Sequence, residues 1–227
     1  MIEGGTRADY IGNMMVHGQS YVVYAVWLFL LATAGFAAYE HNYSMMFIAL
    51  GTLAASTVPA FLADRLHIRI PVGFYAGIVL FLFGTLFLGE AFDFYERFTW
   101  WDIVMHGASA MGFGLMGVIF ALTLFEGDKY AAPAWAISII AFSFALAIGT
   151  LWEVFEFAMD WFFDLNMQKS GLIDTMGDLI VDTIGAAVGA LAGFAYLKGR
   201  DRWGLPGMIA EFVRRNRGMF SKARPPE

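Results

Sequence analysis

The chain contains no cysteine. Disulfides, thiolate metal sites and covalent haem attachment are therefore excluded, while the compartment stays open. Charge is scarce as well: Asp, Glu, Lys and Arg supply 15% of the residues, against about 25% in an average soluble domain. No Lys or Arg falls inside the last three long apolar runs. No Glu-x-x-His motif occurs, which argues against a di-iron oxidase bundle. No internal repeat or pair of broken helices of the transporter type is present. We expect no cleaved targeting peptide, since polar residues run to about position 19 and no short apolar run ends in a small-residue cleavage site.

What is abundant is apolar surface. Of the 227 residues, 59% are hydrophobic and 17% aromatic, and the mean hydropathy is +0.62. A membrane-crossing helix needs about 20 mostly apolar residues. Six segments meet that length: 21–39, 44–63, 70–92, 101–125, 133–162 and 171–197. The sequence therefore predicts an all-α, polytopic integral membrane bundle of six transmembrane helices, occupying residues 21–197. An interfacial N-terminal segment, 1–20, precedes it, and a basic tail, 198–227, follows. The fifth span is longer than a bilayer requires, so it is expected to tilt or emerge at one end.

Lys and Arg set the orientation. With both termini cytoplasmic, the inside holds Arg7, Arg65, Arg69, Lys129 and the eight basic residues from Lys198 to Arg224, twelve in all; the outside holds Arg97 and Lys169. That asymmetry supports six spans with both termini cytoplasmic. In the tail, Ile209, Phe212, Val213 and Phe220 share a helical face, with Arg214, Arg215 and Arg217 elsewhere. This reads either as an amphipathic interfacial helix held to anionic lipid or as an ordinary positive-inside tail. Neither reading calls for nucleic acid. Gly185, Gly189 and Gly193 in the last span, and Gly73 and Gly77 in the third, recur every four residues, a spacing that lets helix backbones approach closely. The methionines read as fillers of irregular gaps. Trp100, Trp101, Trp152 and Trp161 suit an outer aromatic belt.

The acids stand out against this background. Span five carries Glu153, Glu156 and Asp160, spaced by three and four, hence along one stripe. Span six opens "GLIDTMGDLIVDTIG", placing Asp174, Asp178 and Asp182 on one face, with Asp182 about 16 Å below the outer end at ~1.5 Å per residue. Span four opens "WWDIVMH", with Asp102 and His106 four apart, and span three closes with Glu90 and Asp93. A charge facing lipid near the bilayer centre costs at least ~2.5–3.5 kcal/mol. The stripes must therefore turn inward and converge on an internal polar chamber near the outer surface.

Six carboxylates (Asp102, Glu153, Glu156, Asp174, Asp178, Asp182) beside one imidazole cannot all stay ionised in a low dielectric. Three outcomes are physically available: a bound cation, retained protons, or a chamber filled with water and counter-ions. Ligand chemistry favours the cation. Carboxylates with one imidazole suit Zn, Mn or Fe, and with more oxygens Ca or Mg. The candidate ligands are Asp102, His106, Glu153, Glu156, Asp174, Asp178 and Asp182. Each has a plainer reading too. His106 is otherwise a satisfied interior histidine, and Asp174 otherwise caps the start of span six. A network of mutually hydrogen-bonded acids would fix helix register without chemistry. Glu90, Asp93, Asp160 and Asp164 lie near the interface, where solvation suffices, and His17, His41 and His67 are interfacial.

Three motifs together carry a family resemblance: "WDIVMH", "WEVFEF" and "DTMGDLIVDTIGA". Their order, Asp-x-x-x-His, Glu-x-x-Glu, Asp-Thr-x-x-Asp on the last three spans, resembles the YjdF-like bacterial inner-membrane proteins and, more distantly, the VanZ-like proteins. The resemblance covers roughly residues 70–197. Here Gly107 follows His106 where an aromatic is common in that family, and the last acid stripe extends to Asp182. The resemblance implies a helical membrane protein with a polar site and supplies no reaction.

Three functions fit these observations. One is a metal-dependent membrane enzyme working on a lipid or lipid-linked substrate, with Glu156 as general base for a metal-activated water; the spans lack the Lys or Arg clamp that a phosphate head group would want. Another is a cation or proton transporter, although the inner halves of the same spans are nearly barren of ionisable groups. The last is a non-catalytic binding or sensing protein. The expected site is thus an outward-facing acidic metal site, with membrane lipid as the surrounding partner. Substrate, partner proteins and oligomeric state leave no mark in the sequence.

Overall fold

The computed structural model describes residues 18–125 and 132–220. Arg7, His17, Lys129, Lys222 and Arg224 lie outside the described residues, as does nearly all of the expected interfacial segment.

Every regular element among the described residues is a helix. In chain order these are α1 (Tyr21–Tyr39), α2 (Tyr43–Arg65), α3 (Val72–Leu82), a π-helical continuation of α3 (Phe83–Ala91), α4 (Phe94–Arg97), α5 (Trp101–Leu124), α6 (Ala134–Phe163), α7 (Leu172–Leu197), α8 (Gly204–Arg215) and α9 (Arg217–Phe220). With α3 and its continuation taken together, six helices are long and apolar enough to cross a membrane. Their ends agree with the sequence reading to within two residues.

Local chemistry accounts for several of those ends. Ser20 Oγ accepts the Val22 N–H at 3.2 Å and Asn42 Oδ1 accepts the Met45 N–H at 3.1 Å, so both side chains satisfy donors that a helix start leaves unpaired. Pro71 and Pro133 immediately precede α3 and α6, where a missing N–H costs nothing. Asp164 closes α6 in the left-handed region, at φ 55°.

The spans divide into two compact units, Met1–Phe98 and Thr99–Glu227, where the sequence alone read one bundle. The first packs Val23, Val26 and Leu30 of α1 against Ala49 and Ala60 of α2 and Tyr75, Val79 and Phe87 of the third span. Its interior polar groups are neutral; Trp27, Ser56 and Tyr75 are paired, while the buried Thr52 hydroxyl makes no hydrogen bond. Trp27 Nε1 donates to Ser56 Oγ at 2.9 Å, Ser56 Oγ donates to the Leu53 carbonyl at 2.7 Å, and the Tyr75 hydroxyl donates to the Ser56 carbonyl at 2.8 Å. Glu90 and Asp93 belong to this unit and are exposed. A Cβ added at Gly77 would meet no atom within 4 Å, so the expected close approach at the Gly73/Gly77 repeat is absent at that position.

The second unit is built on α5, α6 and α7. A Cβ on Gly114 would lie 2.9 Å from the Gly189 Cα, and one on Gly185 would lie 2.5 Å from the Gly107 carbonyl oxygen. Gly193 is held equally close to Val118. These pairs ascend together along both chains, so α5 and α7 run parallel with backbones in contact, and α6 returns antiparallel against both. The last-span glycines thus do what their spacing implied. Consequently α5 and α7 begin, and α6 ends, at the same end of the unit.

Part of the apolar side of α8 packs on protein: Ile209 is fully buried and Phe212 nearly so where the helix meets α7 and α5, while Val213 and, on α9, Phe220 are half-buried. Arg214, Arg215 and Arg217 remain exposed, with Arg215 paired to Glu211 at 2.7 Å.

Candidate functional site

Three helix ends bring the ionisable groups together. On α5, Asp102 and His106 stand one turn apart, with His106 Nε2 3.8 Å from Asp102 Oδ1. On α6 the buried positions are Ile137, Ala141, Ala145 and Glu153, a stripe with a period of four. Gly149 occupies the missing step of that stripe, and a Cβ there would collide with the Asp182 carboxylate. The absent side chain is thus a notch in α6 that admits Asp182 from α7. One turn earlier on α7 stands Asp178.

His106 is the hub. While Nε2 faces Asp102, Nδ1 lies 3.4 Å from Asp182 Oδ1 and 4.0 Å from Glu153 Oε1. Asp102, His106 and Asp178 each offer one ligand atom, all within 4.8 Å of one another. Burial is deep: relative exposure is 1% for Asp182, 4% for Glu153 and Asp178, and 8% for His106. Asp102 is the more open member, at 27% for its side chain. The buried oxygens of Glu153 and Asp182 make no close hydrogen bond: Asp182 Oδ1 faces His106 Nδ1 at 3.4 Å, and Thr175 and His106 lie within reach of Glu153. An orphaned buried acceptor costs about 1–3 kcal/mol, and more when charged. His106 is the charge partner within reach of both acids.

The remaining candidate ligands sit at the rim. Glu156 is half-buried and accepts the Trp152 indole N–H at 2.8 Å, while staying within electrostatic reach of Glu153 and His106. Asp174 accepts the Lys169 N–H at 3.1 Å, the local capping role open to it. Asp160 accepts the Met167 and Gln168 N–H groups at 2.7 and 2.8 Å, and Gln168 Nε2 donates to Thr175 Oγ1 at 2.5 Å. These bonds lash the α6–α7 loop across the helix ends, and Lys169 on that loop interacts electrostatically with Asp102. The expected single wall of Glu153, Glu156 and Asp160 is therefore corrected. Spacings of three and four spread the acids over about 60° of helix, so one turns inward and the other two reach rim partners.

The family model described as "Predicted membrane protein (DUF2238)" matches residues 20–199. The chain belongs to this family. An uncharacterized protein of Thermotoga maritima is 32% identical over 117 residues, which is 51% of this chain; the match covers 59% of that relative's length. No solved structure matches the chain. The family match contains the whole of α5, α6 and α7, and so every residue of the cluster.

Sequence reasoning brought Asp102, His106, Glu153, Asp178 and Asp182 to one place and missed Gly149. The signal was available: Gly149 falls in the four-residue register that links Ala145 to Glu153.

Proposed function

We propose that this is a multi-pass protein of the bacterial cytoplasmic membrane that binds a divalent cation through Asp102, His106 and Asp178, on the side facing away from the cytoplasm. One observation carries the reading: two carboxylates and an imidazole from two helices offer ligand atoms within 4.8 Å of one another. Two carboxylates with one imidazole suit Mn, Fe or Zn; added oxygen ligands would extend the choice to Ca or Mg. The orientation rests on charge. Lys198, Arg200, Arg202, Arg214, Arg215 and Arg217 gather at the end of the second unit opposite the cluster, and Lys169 stands at the cluster end. The three ordered motifs support kinship with the YjdF-like proteins and, more remotely, the VanZ-like ones.

The substrate class follows from the approach. Trp152, Val154, Phe155 and Phe157 on α6, and Met176 and Ile180 on α7, are exposed apolar neighbours of the buried acids. They favour a lipid or lipid-linked ester arriving through the bilayer. A bound cation would acidify a water there, and Glu156 at the rim is the base within reach.

The test is metal analysis of the purified full chain, followed by titration with Zn2+ and Mn2+. About one ion per chain is expected, with binding lost in His106→Ala and Asp178→Ala. Wild-type protein that binds neither ion would overturn the metal site and favour a proton pathway instead.

A further inference from the structure

The two nitrogens of His106 face different company. Nε2 looks toward Asp102, in the set that includes Asp178 and opens toward the rim. Nδ1 looks toward Asp182 and Glu153, which are almost wholly buried. A neutral imidazole has one donor and one acceptor nitrogen, and the partner of the donor decides which is which. Resting on the metal reading above, we infer that Asp182 is a positioning residue rather than a ligand: it accepts the Nδ1–H, fixes the ring, and leaves Nε2 as the only histidine atom offered to the cation.

Three features support the assignment. Asp182 Oδ1 already stands 3.4 Å from Nδ1, which a small ring tilt closes to a hydrogen bond. The carboxylate is seated in the notch at Gly149, where an added Cβ would displace it. Position 149 therefore sets the acid's place from a second helix. Glu153 Oε1, at 4.0 Å from the same nitrogen, is the farther of the two acceptors. Metal-bound histidines regularly hand their second N–H to a carboxylate in this way, and loss of that partner typically costs about 10–100-fold in metal affinity.

The experiment uses Zn2+ with the full-length protein in detergent. Long-range 1H–15N correlation of 15N-histidine-labelled, Zn-loaded protein, assigned with His106→Gln, reports which ring nitrogen carries the proton. The expected result is protonated Nδ1 and zinc on Nε2. Titration should show Asp182→Ala weakened about 10–100-fold. Asp182→Asn, whose amide oxygen still accepts from Nδ1–H, should remain within a few-fold of wild type. Gly149→Ala, which removes no ionisable group, should reproduce the Asp182→Ala loss. Zinc on Nδ1, wild-type affinity in Asp182→Ala, or equal and complete loss in both Asp182 variants would overturn the assignment while leaving the metal site standing. Absence of zinc binding by wild type would overturn both.

Discussion

The two halves of the molecule solve one problem differently. Each buries polar groups among helices built for lipid. The first does so with neutral side chains: Ser56 receives the Trp27 N–H and returns its own hydroxyl proton to a backbone carbonyl, and the Thr52 hydroxyl is buried without a partner but carries no charge. The second buries Glu153, Asp178, Asp182 and His106, and leaves the oxygens of two of those acids without close hydrogen bonds. Burying a neutral hydroxyl that keeps its hydrogen bond costs little, whereas burying an unpaired carboxylate is expensive enough that the group must find a cation or a proton. The first arrangement is architecture. The second is the cluster on which the proposed cation site rests.

The helix contacts differ in the same way. In the second unit the backbones of α5 and α7 touch at Gly114 and Gly189, so the chamber walls are held at a spacing that side chains would destroy. Gly114→Val or Gly189→Val should therefore have the largest effect, destabilising the second unit by several kcal/mol, since neither backbone can yield. Thermal unfolding in detergent would show it. Gly77→Ala in the first unit should leave the midpoint unchanged or slightly raised, because a Cβ there meets open space.

Next in size is the loss of a ligand. Asp178→Ala and His106→Ala should weaken Zn2+ binding at least 100-fold, measured by calorimetry, which corresponds to about 2.8 kcal/mol at 1.4 kcal/mol per decade. Unfolding midpoints without added metal should rise in Asp178→Leu, since an apolar side chain replaces a buried acid. A variant that loses both metal affinity and stability would blur the contrast between architecture and site.

Smallest is the hydroxyl of the first unit. Ser56→Ala strands the Trp27 indole N–H and should cost about 1 kcal/mol of stability, with zinc affinity unaltered. Altered zinc binding in that variant would mean that the cluster depends on packing in the first unit.

Most of this was legible in the residues themselves. Apolar run lengths fixed the six spans, because a bilayer has one thickness and helices one rise. The inward turn of Asp182 followed from the cost of showing a carboxylate to lipid. Less legible was the split within each acid stripe. Asp160 and Glu156 share a helix face with Glu153, yet their partners are a loop N–H pair and an indole, and loop geometry is not written in periodicity. The fate of α8 was hidden for a related reason: an amphipathic face looks alike whether it covers lipid or protein, and only the packed helices α5 and α7 show which part meets protein. Gly149 was overlooked because an absent side chain signals nothing until its neighbour's carboxylate is seen to fill the gap.

The most direct trial of the whole scheme is an anomalous-scattering map from crystals of the full chain grown with Mn2+. One strong peak is expected in the second unit, within bonding distance of Asp102, His106 Nε2 and Asp178, with Asp182 on the far side of the ring. A map with no peak among α5, α6 and α7, or with these side chains pointing apart, would contradict it.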